Sequence, residues 1–162
     1  MTRKNANQLV VALNKGRPLT ALLKVLSEAG IAPSESPESS RKLVFPTSRS
    51  DVSLLVLRGG DVATYVEHGI ADVGLLGKDS LLEFPGQDYY ELLDLGLARC
   101  RLMVAGLVDE GPLPRRIRVA TKFVETAKRY YAALGVRRIS SNCLALWSLR
   151  PSWDCPIASS IL

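Results

Sequence analysis

The sequence has little of the chemistry that cysteine and histidine provide. Its 162 residues include one histidine, His68, and three cysteines, Cys100, Cys143 and Cys155. The cysteines are too few and too irregularly spaced for a disulfide framework or a zinc site, which favours a reducing, cytoplasmic location. No Ser-His-Asp or Cys-His set forms around the single histidine, so we expect no covalent nucleophile.

Long apolar runs are also missing. The longest are residues 9–13 (LVVAL) and 52–57 (VSLLVL), whereas a membrane-spanning helix needs about 20 apolar residues. The first eight residues are polar and basic, and no long apolar stretch follows them, so we expect no secretory signal. The sequence therefore predicts a protein without a membrane segment.

The charge is moderately positive, with 21 Lys and Arg against 16 Asp and Glu, a net +5. Acidic residues are interspersed among the basic ones, and no stripe of basic and aromatic residues is present. This pattern favours small anionic ligands over nucleic acid. The apolar fraction of 47% and the length indicate one globular domain or two small lobes.

Hydrophobic patterns alternate between strand-like and helix-like segments. Strands are predicted at residues 9–13, 43–45, 52–57, 73–76, 90–95, 101–108, 117–121 and 136–140. Helices are predicted at residues 19–29, 62–68, 80–84 and 124–134, with Gly30, Gly69 and Gly135 as their stops. Strands that alternate with helices predict an α/β fold with a largely parallel sheet.

Several single residues are interpreted structurally. His68 stands near a helix end, where a cation stabilises the helix dipole. Asp61 is a predicted N-cap, and Asp72 is interpreted as an exposed surface carboxylate. Cys100 is interpreted as a small core residue. These interpretations need no catalytic function.

The turns that follow the predicted strands carry the functional signal. Three of them place glycine beside charged residues: Lys15, Gly16 and Arg17; Arg58, Gly59, Gly60 and Asp61; and Gly77, Lys78 and Asp79. In parallel sheets ligands bind beyond the carboxyl ends of the strands, and glycine lets a phosphate approach the backbone. Each turn alone also fits an ordinary exposed turn. Together they predict a site for phosphates, although neither G-x-G-x-x-G nor G-x-x-x-x-G-K-[ST] is present.

Longer stretches around these turns resemble one known family. They are residues 12–17 (ALNKGR), 58–69 (RGGDVATYVEHG), 71–79 (ADVGLLGKD), 92–96 (LLDLG), 99–102 (RCRL) and 118–122 (RVATK). In order and spacing they resemble the catalytic subunit of ATP phosphoribosyltransferase, short form. The resemblance extends from about residue 9 to residue 139.

The resemblance implies an activity, a fold and a partner. The family transfers the 5-phosphoribosyl group of phosphoribosyl pyrophosphate to N1 of ATP, releasing pyrophosphate with the help of Mg²⁺, as the first step of L-histidine biosynthesis. The implied fold has two lobes similar to type-II periplasmic binding proteins, here residues 1–88 and an incomplete second lobe at residues 89–140. The implied partner is a regulatory subunit resembling histidyl-tRNA synthetase, in a hetero-oligomer.

The resemblance also implies substrate-binding residues. They are Lys15, Gly16, Arg17, Arg58, Asp61, Gly77, Lys78, Asp79, Arg99, Thr121 and Lys122. Lys15 and Arg17 would hold phosphates, the second turn would line the cleft, and Lys78 and Asp79 would contact nucleotide or metal. The last three residues of that set would come from the second lobe.

The sequence departs from the family after Ile139. A family loop of the form T-G-x-T-L, which binds the sugar phosphate, is missing, and residues 141–162 contain both tryptophans instead. Codons compatible with residues 145–162, read one base out of frame, encode a segment like the missing family segment. We therefore predict a frameshift near residues 140–143. The alternatives for this chain are a non-catalytic nucleotide-binding remnant and an inactive product.

Overall fold

The computed structural model describes residues 8–85, 89–105, 116–135 and 137–142. The chain forms two units, residues 1–99 and residues 100–162, which are described separately. The first unit contains β1 (Leu9–Asn14), α1 (Leu19–Glu28), β2 (Val44–Pro46), β3 (Val52–Leu57), α2 (Gly59–Glu67), β4 (Val73–Leu75) and α3 (Lys78–Glu83).

The first unit is built on a four-stranded sheet with the order β2-β3-β1-β4. The central strand β1 pairs in parallel with β3, where Leu9 lies opposite Val52, and in parallel with β4, where Val11 lies opposite Val73. The short β2 adds to β3 in the antiparallel direction. The predicted α/β fold with a largely parallel sheet is confirmed.

Helices cover both faces of this sheet, which explains the continuous apolar sequence of its strands. On one face Val11 and Leu13 of β1 and Leu54 of β3 pack against α1. On the other face Ala12 and Leu55 pack against α2. All six residues of β3 are buried.

Glycines end the first two helices. Gly30 and Gly69 have φ angles of 77° and 65°. This backbone conformation is unfavourable for residues that have a Cβ atom. The N–H groups of Ile31 and Ile70, one residue further, donate to the carbonyl oxygens five residues back. The N–H groups of Gly30 and Gly69 themselves donate to the carbonyl oxygens three residues back. The two hydrogen bonds at each helix end form a Schellman motif, so the predicted stops are confirmed.

The start of α2 differs from the prediction. Arg58, in extended conformation, precedes the helix, and Gly59 is already its first residue. Asp61 is therefore not the N-cap but lies in the first turn, where its charge favours the positive end of the helix dipole. The paired glycines explain the error, because a helix start without a capping side chain leaves no signal in the sequence.

Two predicted strands are wrong in the described residues. Residues 90–95 and 101–105 have no regular secondary structure, and residues 106–108 of the second prediction lie outside the described residues. Tyr90 is 93% exposed and Leu92 is 81% exposed. A strand requires a hydrogen-bonding neighbour, and an apolar run in the sequence does not reveal whether one exists.

The second unit contains β5 (Arg116–Thr121), α4 (Val124–Ala133) and β6 (Arg137–Asn142). The two strands are parallel, and α4 connects them. Val119 of β5 and Tyr131 of α4 are buried against each other. The predicted strand-helix-strand unit with its stop at Gly135, whose φ is 68°, is confirmed.

Cys100 is exposed, so its interpretation as a core residue is wrong. The other two cysteines, both tryptophans and the predicted frameshifted segment from residue 143 onward lie outside the described residues. The predicted lobe boundaries at residues 88 and 140 stay predictions. No helix in the described part of the chain is long and apolar enough to cross a membrane.

Candidate functional site

Three of the predicted turns meet at one edge of the first unit's sheet. Because β1, β3 and β4 are parallel, their carboxyl ends share that edge, and each is followed directly by a charged turn. The N–H of Lys15 donates to the carbonyl oxygen of Leu57 at 2.6 Å, which ties the first turn to the end of β3. The prediction that these turns cluster on one side of the sheet is therefore confirmed.

The chain leaves this edge toward both faces of the sheet. After β1 it enters α1 on one face, whereas after β3 it enters α2 on the other face. The helix α3 follows β4 and contacts α2. Such a change of direction between neighbouring strands opens a crevice at the carboxyl edge, and open α/β sheets bind their ligands there.

Gly59 lies where the three turns converge. A Cβ at this position would lie 3.1 Å from the amide nitrogen of Asn14 and 3.1 Å from the hydroxyl of Ser80. Asn14 ends β1 and Ser80 lies in the first turn of α3, so one residue from each neighbouring turn approaches Gly59. Neither polar residue is among the site residues predicted from the sequence. Their positions directly beside Lys15 and Asp79 are the signal that could have found them.

The first turn is shaped by Gly16. Its φ of 111° is strained for any residue with a side chain, and its carbonyl oxygen accepts the N–H of Leu19 at 3.0 Å. The neighbouring Lys15 and Arg17 are exposed. The turn therefore presents two cationic side chains to solvent at the edge where β1 ends.

The third turn holds a cation and a carboxylate together. Gly77 precedes α3 in extended conformation, and the Asp79 carboxylate occupies the space where a Cβ of Gly77 would be. Only glycine therefore fits before this helix without displacing Asp79. Lys78, the first residue of α3, forms an ion pair with Glu91.

The balance of charge at this edge is positive. The three turns carry four basic side chains and two carboxylates, so the difference is 4 − 2 = +2. Arg58 and Asp61, from the second turn, are both exposed. An edge with excess positive charge attracts anions, and polyphosphates are small molecules that carry several negative charges close together.

Arg99 is the last residue of the first unit rather than a residue of the second. It is exposed, and its guanidinium is 3.9 Å from where a Cβ of Gly96 would be. The N–H of Gly96 donates to the Asp94 carboxylate at 2.8 Å, which stabilises the turn in front of Arg99. In the described residues, no hydrogen bond or ion pair joins Arg99 to the three turns.

Thr121 and Lys122 lie in the second unit, at the end of β5. Thr121 is buried, and its hydroxyl accepts the N–H of Phe123 at 3.0 Å. The ammonium of Lys122 is 4.5 Å from the centre of the Phe123 ring, a cation–π contact. Both residues contact the neighbouring Phe123. Their predicted contacts with substrate stay predictions.

The second unit also contains a cavity of about 400 Å³. Its lining is mainly apolar and includes Leu102, Met103, Phe123, Tyr130 and Tyr131. Burial raises the pKa of Tyr131, and the adjacent Tyr130 adds to this shift. Because none of the described residues that line it is charged, this part of the second unit is unsuited to phosphates.

A metal site made by the protein alone is missing from the described residues. No group of three or more His, Cys, Asp or Glu side chains comes together there. Asp72 is exposed, as predicted, and its carboxylate accepts the N–H of Val10 at 2.8 Å, which anchors β1. Mg²⁺ usually requires only one or two carboxylates when substrate phosphates provide its other ligands.

Comparison with known proteins identifies the family. The family model for ATP phosphoribosyltransferase, HisG, matches residues 58–143. The chain belongs to the ATP phosphoribosyltransferase family. The match includes the second and third turns of the site and ends where the sequence departs from the family motifs.

Curated relatives with the name ATP phosphoribosyltransferase support this assignment. Over 127 residues, or 78% of this chain, the chain is 58% identical to the protein of Pseudomonas putida strain W619. It is 57% identical to that of Pseudomonas syringae pv. tomato and 56% identical to that of Pseudomonas fluorescens strain Pf-5. The chain spans 60% of the length of these relatives.

A solved structure supports the fold. The ATP phosphoribosyl transferase (HisG:HisZ) complex from Thermotoga maritima matches with a TM-score of 0.73 at 24% identity. The match covers 94% of this chain and 73% of the chain in that structure. At this identity the likeness extends to the α/β fold and no further.

Proposed function

We propose that this chain acts in the transfer of the 5-phosphoribosyl group of phosphoribosyl pyrophosphate to N1 of ATP, the first step of L-histidine biosynthesis. The observation that carries the proposal is the convergence of three cationic, glycine-containing turns at the carboxyl edge of one sheet in a member of this family. Both substrates are polyphosphates, so their charge matches the excess positive charge of that edge.

The residues present would act by binding and orientation. Pyrophosphate is the leaving group and the adenine of ATP is the nucleophile, so no side chain has to form a bond to either substrate. Lys15 and Arg17 would hold phosphate oxygens, and Arg58 would neutralise the charge that develops on the leaving group. Gly16, whose Cβ position has no atom within 4 Å, would let phosphate approach the backbone, and Gly77 leaves room for the Asp79 carboxylate. Positioning two bound substrates for attack then supplies the rate enhancement.

Mg²⁺ belongs to this proposal as an ion that the substrates bring with them. The described residues do not form a site for it without phosphate. Asp61 and Asp79 are the carboxylates of the three turns, and either one fits the single protein ligand that such an ion commonly uses. The charge of the ion would reduce the repulsion between the two substrates.

The second lobe and the partner complete the proposal. We infer that the two units correspond to lobes similar to those of type-II periplasmic binding proteins, and that Arg99, Thr121 and Lys122 contact substrate when the lobes close. The solved relative is a HisG:HisZ complex, which supports a hetero-oligomer with a regulatory subunit resembling histidyl-tRNA synthetase. A cytoplasmic location agrees with such a biosynthetic role.

Calorimetry with the 162-residue chain tests the proposed site. We expect both ATP and pyrophosphate to bind with an affinity that falls as salt is raised, because the contacts are ionic. A parallel assay with ATP, phosphoribosyl pyrophosphate and the regulatory subunit tests catalysis. Binding without product is the result expected of the 162-residue chain if its last residues are frameshifted. Binding without product by a chain with the restored frame as well would favour a nucleotide-binding module, and no binding of either ligand would overturn the proposed site.

A further inference from the structure

The ammonium of Lys78 in the third turn already has an anionic partner. The carboxylate of Glu91 forms an ion pair with this ammonium. The side chain of Lys78 is 58% exposed and that of Glu91 is 45% exposed. Glu91 lies in residues 89–99, which follow the three turns in sequence and have no regular secondary structure. A carboxylate of the chain therefore occupies the place that a phosphate oxygen would take on Lys78.

The Glu91 side chain is held by its ion pair with Lys78, and two residues earlier the ring of Tyr89 contacts that of Phe84. The direct neighbours of Glu91, Tyr90 and Leu92, are almost entirely exposed, so burial of these side chains does not fix the segment. Ion pairs between exposed side chains contribute little to stability. The contact is therefore easily broken, and its main consequence is the negative charge that it places beside Lys78.

We propose that Glu91 is an internal competitor for the phosphate-binding Lys78 and sets how tightly this site holds polyphosphate. The inference rests on the proposed function of the three turns. When a phosphate binds, the carboxylate either leaves the ammonium or remains close to the incoming anion, and both alternatives lower the affinity. Removal of the charge at position 91 should therefore raise the affinity of the site for polyphosphate.

The direction in which the affinity changes distinguishes two roles of Glu91, competition with phosphate and orientation of Lys78. If Glu91 instead held Lys78 in the correct orientation for phosphate, its removal would lower the affinity. Damage to the fold would also lower it. Competition alone predicts a gain that exceeds the effect of the same charge change at Glu28 and that disappears when Lys78 is replaced.

Titration of the 162-residue chain with pyrophosphate provides the test. Glu91→Gln keeps the size of the side chain and removes its charge. Glu28→Gln is the matched control, because it makes the same charge change on an exposed residue at the end of α1, away from the edge where the strands end. We expect Glu91→Gln to bind pyrophosphate about two- to fivefold more tightly than Glu28→Gln at about 50 mM salt. The gain should shrink at about 0.5 M salt.

A double variant tests whether the effect passes through Lys78. Lys78→Gln should weaken pyrophosphate binding, and adding Glu91→Gln to it should give little further change. If Glu91→Gln bound pyrophosphate no more tightly than the control, the proposed competition by Glu91 would be wrong, whereas the proposed phosphate site would still stand. A full gain in the Lys78→Gln background would do the same, because it would show a general charge effect. No binding by the unaltered chain would overturn the proposed site and the competitor together.

Discussion

At the scale of single residues, the absence of a side chain at Gly59 organises the candidate site. Asn14 and Ser80 both reach the space that a Cβ would fill, at distances below ordinary van der Waals contact. The two polar groups can therefore face the same hollow from different turns. Charged residues around them supply attraction, whereas these neutral groups supply hydrogen-bond geometry.

Arg17 provides the most direct test of the attraction. Arg17→Ala removes a guanidinium that can bind phosphate through two hydrogen bonds, so we expect at least a tenfold loss in affinity for ATP, about 1.4 kcal/mol. The unfolding midpoint should change little, because Arg17 is exposed. Calorimetry and urea unfolding measure the two effects. Arg49→Ala, at an exposed position before β3 on the opposite edge, should leave the affinity unchanged.

Tyr131 predicts how the second unit responds to alkali. Burial raises the pKa of its phenol above the ordinary value of 10.0, so the folded state disfavours the phenolate. This contribution to stability is complete below the pKa of the unfolded chain and is lost as pH rises through the higher folded value. We expect the free energy of unfolding to fall above about pH 10.

Urea unfolding of Tyr131→Phe at about pH 8 and about pH 11 isolates this contribution. The variant should lose less stability between the two conditions than the unaltered chain does. Tyr90→Phe changes a tyrosine that is 93% exposed and serves as the comparison. If the free energy of unfolding depended on pH equally in both variants, the burial of Tyr131 would not be the cause of the loss of stability at high pH.

At the scale of elements, the contact between α2 and β4 depends on Gly74. A Cβ there would lie 2.9 Å from methyl carbons of both Val62 and Val66, so Gly74→Ala has to push the helix away from the strand. Overpacking of this kind costs about 1–3 kcal/mol. We expect a lower urea midpoint, with pyrophosphate affinity as a second readout because α2 begins at the site.

Gly60→Ala is the control for this substitution. Gly60 also belongs to α2, but a Cβ at this position meets no atom within 4 Å, and its φ is not in the left-handed region. Alanine in a helix is favoured over glycine, so this variant should be as stable as the unaltered chain or up to about 1 kcal/mol more stable. A Gly74→Ala variant equal to this control would contradict the tight helix–strand contact.

Elements buried on both sides were predictable from the sequence, and elements without a partner were not. The continuous apolar runs of β1 and β3 arise because α1 and α2 cover both faces of the sheet, and glycine stops marked the helix ends. Residues 90–95 (YELLDL) are mostly apolar but remain exposed, because strand formation depends on a neighbour that the local sequence does not specify.

The same distinction applies to the candidate site. The charged turns were found because each glycine stands beside its cation in the sequence. The meeting of Asn14, Gly59 and Ser80 required the order β3-β1-β4, which brings together turns separated by many residues. Pair contacts such as Lys78 with Glu91 are beyond sequence reasoning for the same reason.

At the scale of the whole molecule, the second unit is the less complete of the two in the described residues. Its sheet there has only β5 and β6, and an apolar cavity lies beside α4. Met103 and Val104 of this unit are exposed although they are apolar. Large exposed apolar side chains commonly mark surfaces that another segment or partner covers.

The reading frame of the last residues decides whether this chain can be a complete catalyst. We predict that the gene encodes residues 145–162 with codons whose shifted reading restores the family segment, and that the 162-residue chain forms no product from ATP and phosphoribosyl pyrophosphate. A chain with the restored frame should form it, since it regains the loop implied for the sugar phosphate. The sequence of the gene and a pyrophosphate-release assay with the regulatory subunit check the two statements. Product from the 162-residue chain would show that the first unit's turns and the described part of the second unit suffice for transfer.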